Sequence, residues 1–187
     1  VVLLPVVLAG DSLLIGAPDG DVYKHSWGHW WVRYRIFEKG EFPFSQDLLY
    51  FPLGGGFYCL DTFHSLLSTP FAWLGTVRAY NLNLCMHLLI AAGGIGKFGQ
   101  ALGLSSQKIW LPAALSLICG WVYSFPMSSG VSEHMGYSLC PWVGWALLSA
   151  FKNRGFRYPI YFSILLIVQA LLSWGFAIIS GIASALF

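Results

Sequence analysis

The sequence has little charge. Asp, Glu, Lys and Arg together make up 10% of its 187 residues, against about 25% in an average soluble domain. This shortage excludes an ordinary water-exposed domain, and the abundance of apolar residues excludes a disordered chain. Cysteine is scarce as well. Cys59, Cys85, Cys119 and Cys140 form no CxxC pair and no Cys/His ligand spacing, which excludes a disulfide scaffold and a zinc finger, and they read as small apolar residues. The net charge of +2 is too weak for a nucleic-acid partner. There is no internal repeat, no low-complexity tract, and no basic start followed by a small-residue cleavage site. Gly54-Gly55-Gly56 is followed by no Lys-Ser/Thr pair, so it reads as a turn and not as a phosphate loop.

What is abundant is apolar and aromatic. Hydrophobic residues reach 57%, Phe, Trp and Tyr 17%, and the mean hydropathy is +0.66. Rings in such number suit lipid headgroup depth. A helix needs about 20 mostly apolar residues to cross a bilayer. Five segments approach this: Val1–Gly16, Leu82–Gly96, Ile109–Tyr123, Leu139–Phe151 and Tyr158–Phe187. The last admits one tilted helix, or one helix and the start of another at Gly181, with Gln169 its only long polar side chain. Gly93-Gly94, Pro112 and Pro141 are candidate kinks. The chain opens inside one apolar run and closes inside another, as a piece of a longer protein does.

Lysine and arginine bias orients these segments. Connection 97–108 carries Lys97 and Lys108, and connection 152–157 carries Lys152, Arg154 and Arg157, with no acid in either. Connection 124–138 has Glu133 and no Lys or Arg. The first two are therefore expected to be cytoplasmic, and 124–138 and 17–80 extracytoplasmic. All eight acids then fall in the outward half. The expected architecture is all-α: a single membrane domain over 1–187, with a polytopic bundle (81–187) of about four to six transmembrane helices. A jaw-like outer loop (17–80) carries two amphipathic surface helices. The first, His25–Lys39, spaces Trp27, Trp30 or Trp31, Tyr34 and Phe37 along one face. The second, Asp61–Leu74, has Asp61 as N-cap and Pro70 to bend or end it.

Chemistry is expected in the outward half. Asp19-Gly20-Asp21 places two carboxylates on a turn, suited to a divalent cation or to general-base work on a hydroxyl, although Asp and Gly also serve plain turns. Asp11 within an apolar run is either a structural polar contact or a site residue. Arg33, Arg35, Lys39 and Arg78 stand where a lipid-linked phosphate would lie, and equally where headgroup anchors would. His29, with His25, follows the acidic turn. Glu133-His134 lies in the second outer loop, with His64 on the second jaw helix. His87, inside an apolar segment, reads as a helix–helix hydrogen-bond partner.

The order of these features carries a resemblance. Gly20-Asp21 is followed by Trp27, Trp30 and Trp31, then by Pro43-Phe44 and by Asp47-Leu48-Leu49-Tyr50-Phe51-Pro52-Leu53-Gly54. Leu66–Leu74 and Ala79-Tyr80-Asn81-Leu82 come next. Gly120-Trp121-Val122-Tyr123-Ser124-Phe125-Pro126, Glu133-His134-Met135-Gly136-Tyr137 and Trp142 complete it. Over roughly residues 10–180 the chain resembles the amino-terminal part of bacterial membrane proteins of the GT-C glycosyltransferase superfamily. Ser124-Phe125-Pro126 departs from the family's Phe-Ser-Pro order. The resemblance implies a sugar donor on polyprenyl phosphate, action on the extracytoplasmic side of the inner membrane, and an acid of the first outer loop as base. That role falls on Asp21, with Asp19 as alternate. Arg33, Arg35, Arg78, His29, Glu133 and His134 are the candidates to hold the lipid phosphate. Any metal would be a divalent cation on Asp19 and Asp21. The competing expectation is a non-catalytic accessory subunit packed on other membrane proteins. A transporter is disfavoured, because the apolar segments show no pair of mid-depth charges and no inverted repeat.

Overall fold

All regular structure is helical among the residues described by the computed structural model, which are 10–44, 48, 53, 55, 62–118, 129–153 and 155–186. Seven α-helices follow in chain order: α1 (Val22–Arg33), α2 (Thr62–Ser68), α3 (Thr76–Ala101), α4 (Ser106–Ile118), α5 (Cys140–Lys152), α6 (Arg157–Leu172) and α7 (Trp174–Ala185). α1 runs on into a π-helical stretch, Tyr34–Lys39. α2 continues as the 3-10 helix Thr69–Leu74, with Pro70 in its first turn, where a missing N–H costs nothing. Another 3-10 helix, Ser132–Leu139, leads into α5. The chain divides into two compact units, Val1–Asn83 with Ser128–Ser132, and Leu84–Met127 with Glu133–Phe187, so the division falls inside α3.

In the first unit α1 packs on α2. The expected tryptophan seam is only part of what faces inward. The buried residues of α1 are Val22, His25, Gly28, His29, Trp31 and Val32, while Phe37 is exposed. Both histidines face inward because α2 and Ser132 receive them: His29 Nδ1 lies 3.1 Å from Ser68 Oγ, and His25 Nδ1 3.3 Å from Ser132 Oγ. Trp31 donates its indole N–H to the Pro43 carbonyl at 3.0 Å. Trp27 stacks on Trp31 and Trp30 on Tyr34, with centroids 5.5 and 5.2 Å apart. The second expected surface helix is present as α2 and its 3-10 extension; its expected cap, Asp61, lies outside the described residues. Of the first expected span, residues 1–9 lie outside them too, and Gly10–Ser12 form a 3-10 turn.

In the second unit the sequence boundaries shift. α3 starts before Leu82 and ends after Gly96, giving 26 residues and a length of about 39 Å. It is the one helix among the described residues that is long and apolar enough to cross a membrane. Gly93-Gly94 does not interrupt it; the missing side chain of Gly94 makes room for the Trp142 indole, which donates to the Ile90 carbonyl at 2.7 Å. Pro141 opens α5 and does not kink it. Pro112 sits inside α4, and the expected continuation to Tyr123 lies outside the described residues. The long final segment is two helices, and the break is at Ser173 (φ −159°, ψ 101°), not at Gly181, which continues α7. Gly136 approaches Ser173 so closely that its own side chain is excluded there. One turn earlier, the fully buried Gln169 donates to the Gly136 carbonyl at 3.2 Å and to Cys140 Sγ at 3.1 Å. The lone long polar residue of this segment thus fastens α6 to the start of α5.

α5, α6 and α7 pack on one another. α3 and α5 run side by side in the same direction: Gly94 meets Pro141 and Trp142, Gly144 meets Phe98, and Lys152 Nζ donates to the Ala101 carbonyl. α4 returns against α3, with Ile109 on Gly99. Lys152, at the end of α5, therefore lies at the same end of this unit as the end of α3. α6 and α7 leave Ile160, Ile164, Ile167, Leu171, Ile178 and Ile182 exposed, apolar side chains in a number that water does not favour.

Candidate functional site

The first unit holds most of the residues expected to carry chemistry, and the glycine-bearing turn before α1 presents the acids. Asp19 and Asp21 are both exposed. Asp21 immediately precedes α1 and makes no side-chain capping bond; its carboxylate pairs with Lys24 Nζ at 3.3 Å. A negative charge there also favours the helix electrostatically. Among the described residues no three His, Cys, Asp or Glu side chains gather to hold a metal ion.

The cations are tied to their surroundings to different degrees. Arg33 donates to the Ala72 carbonyl at 3.2 Å and to Thr76 Oγ1 at 3.4 Å, locking α1 to the turn before α3. Arg35 pairs with Glu41 at 2.6 Å and lies over the Trp31 ring at 5.1 Å. Lys39 lies over the Tyr34 ring at 5.4 Å. Arg78, in the first turn of α3, makes a looser 3.7 Å pair with Asp11, and both side chains are about half exposed. Asp11 is thus an ion-pair partner at the surface of this unit. His29 is buried, its ring edge against Tyr80 at 4.7 Å. Glu133 and His134, both half-buried, belong to the second unit.

What the sequence did not announce is the polar interior of this unit. Tyr80 donates its hydroxyl to the Gly130 carbonyl. Asn81 accepts from the Ile15 N–H at 2.9 Å and donates to the Leu13 carbonyl at 2.7 Å, so one amide pins residues 13–15 to α3 as a strand partner would. His64 is buried beside Ser65 on α2. The signal was the four-residue spacing of His25 and His29, which sets both on one helix face. In the second unit His87 bonds Ser138 Oγ at 2.8 Å, a contact between segments as expected. Cys85 and Cys140 are free thiols and half-buried; Cys59 and Cys119 lie outside the described residues.

Asn83 stands apart. It is fully buried, and among the described residues neither its amide nitrogen nor its oxygen has a hydrogen-bond partner. An unpaired buried amide costs about 1–3 kcal/mol. Asn83→Leu, close in size, is expected to raise resistance to denaturant by that amount. A drop in stability would show that the amide is bonded in the folded protein.

No protein-family pattern, curated protein or solved structure matches the chain.

Proposed function

We propose that the chain is part of a multi-spanning membrane enzyme of the glycosyltransferase type, moving a sugar from a polyprenyl phosphate to an acceptor on the extracytoplasmic side of a bacterial inner membrane. The membrane part of the reading is supported by the length of α3, by the apolar surface of α6 and α7, and by the lysines gathered at one end of α3 and α5. The observation that carries the catalytic part is the exposed carboxylate of Asp21 at the start of the aromatic helix α1. A base must be reachable from water, and the exposed carboxylate of Asp21 is.

In the proposed step the acceptor oxygen attacks the anomeric carbon while its proton passes to the Asp21 carboxylate. The bond from that carbon to the phosphate oxygen breaks, and polyprenyl phosphate leaves. Of the three arginines, Arg78 is the one whose side chain is half exposed and only loosely paired, so it is the cation suited to meet the leaving phosphate. Asp21→Asn, assayed in membranes with a polyprenyl-phosphate-linked sugar, is expected to lower transfer about 10²–10⁴-fold, and Asp19→Asn much less. Unchanged transfer by Asp21→Asn removes it from the mechanism.

A second reading, a non-catalytic accessory subunit, is favoured by the internal contacts that already engage Arg33 and Arg35. In that case Asp21→Asn leaves transfer untouched, and the chain is recovered with other membrane proteins through its exposed apolar faces.

A further inference from the structure

Between α3 and α4 lies a cleft of about 470 Å³ that the proposed reaction does not use. Its size falls within the range of small-molecule sites, about 300–1,000 Å³. The walls are made by what is missing. Gly93 and Gly96 on α3 face Ala113 and Ala114 on α4, so the two helices leave a slot where larger side chains would close it. Trp110, largely exposed, forms one flank. Its long or polar side chains, Gln100 and Ser106, sit where α3 ends and α4 begins. The slot is apolar along its length and polar at one mouth.

Charge identifies what belongs there. Lys97 on α3 and Lys108 on α4 are exposed, each within one helical turn of the mouth residues Gln100 and Ser106, and among the described residues neither side chain makes an ion pair or hydrogen bond. Lys152 reaches the same end of α3 through the Ala101 carbonyl. From Leu84 to Lys108 there is no acid. An apolar slot beneath unpaired ammonium groups matches one molecule of the surrounding leaflet: a phospholipid whose acyl chain lies along the glycines and alanines and whose phosphate-bearing headgroup is anionic. We propose that the α3–α4 cleft is a binding site for one anionic phospholipid, held by its chain in the slot and by Lys97 and Lys108 at the mouth. The inference rests on the membrane reading of α3 but not on the glycosyltransferase reading.

The test uses the full chain. It is first floated with vesicles; a chain that stays behind overturns the membrane reading and this site with it. The floating chain is then stripped of lipid in detergent and titrated with phosphatidylglycerol and with phosphatidylcholine, and bound lipid is counted by native mass spectrometry. One phosphatidylglycerol is expected to bind about tenfold more tightly than phosphatidylcholine, since the lysines at this end of the helices attract its extra charge. The double variant Lys97→Gln/Lys108→Gln is expected to bind both lipids equally. Ala114→Phe, at an exposed wall position, is expected to fill the slot and abolish both. Equal binding of the two lipids by the unaltered chain overturns the proposal. So does a preference that survives both variants, or a second copy of the chain found in the cleft in place of lipid.

Discussion

Gly130→Ala is expected to unfold the first unit or leave it barely stable. Gly130 has φ +61°, where a side chain costs about 1–2 kcal/mol. It also has no room for one. A methyl there would overlap the Ile15 carbonyl, lie 2.7 Å from Val22 Cγ2 and 2.9 Å from the Gly16 Cα. Two of these neighbours are backbone, and Gly130 is held in place by the Tyr80 hydroxyl, so neither side can retreat. Strain and overlap together are expected to cost about 3–5 kcal/mol. Gly40 separates the two causes: it has φ +66° and nothing within 4 Å of a would-be methyl. Gly40→Ala is therefore expected to lose only the backbone share, about 1–2 kcal/mol. Proteolysis of the native chain reads both, and equal sensitivity of the two variants would contradict the close packing of residues 15–16 against Gly130.

The second large effect is at Gly94 in α3. A methyl there would fall 2.6 Å from Trp142 Cδ1 and 2.8 Å from its Nε1, with Pro141 Cβ at 3.1 Å. The indole must shift, which weakens its bond to the Ile90 carbonyl. Gly94→Ala is expected to destabilise the α3–α5 contact by about 1–3 kcal/mol, despite a helix-propensity gain of about 1 kcal/mol. Gly96 is the control on the same helix, because its nearest neighbour is Ile109 Cγ2 at 3.9 Å. Gly96→Ala keeps the propensity gain, about 0.5–1 kcal/mol of added stability. Unfolding in mixed micelles should move the two variants in opposite directions.

Helix identity was legible in the sequence because it depends on local pattern. The apolar runs around Leu82, Ile109, Leu139 and Tyr158 all contain helices, and the inward role of Gln169 follows from its being the one long polar residue in its run. Helix ends were less legible, because packing sets them. Ser173 breaks the last run where Gly136 presses against it, although Gly181 carries the stronger local signal. Pro141 begins a helix because eight residues of 3-10 structure precede it, which periodicity does not announce. At the site, the exposure of Asp19 and Asp21 follows from the turn chemistry around them. The engagement of Arg33 with Ala72 and Thr76 does not, since it joins segments far apart in sequence. Asn81 was unreadable for the same reason: its amide is spent on residues 13–15.

In the proposed topology the acids and the lysines face opposite compartments. In a chain whose four natural cysteines are changed to alanine, Asp19→Cys and Lys108→Cys are made separately and exposed to a membrane-impermeant maleimide in intact cells. Asp19→Cys should label at once and Lys108→Cys only after the membrane is opened. Labelling of both from the same compartment would contradict the topology, and with it the placing of Asp21 at an extracytoplasmic site.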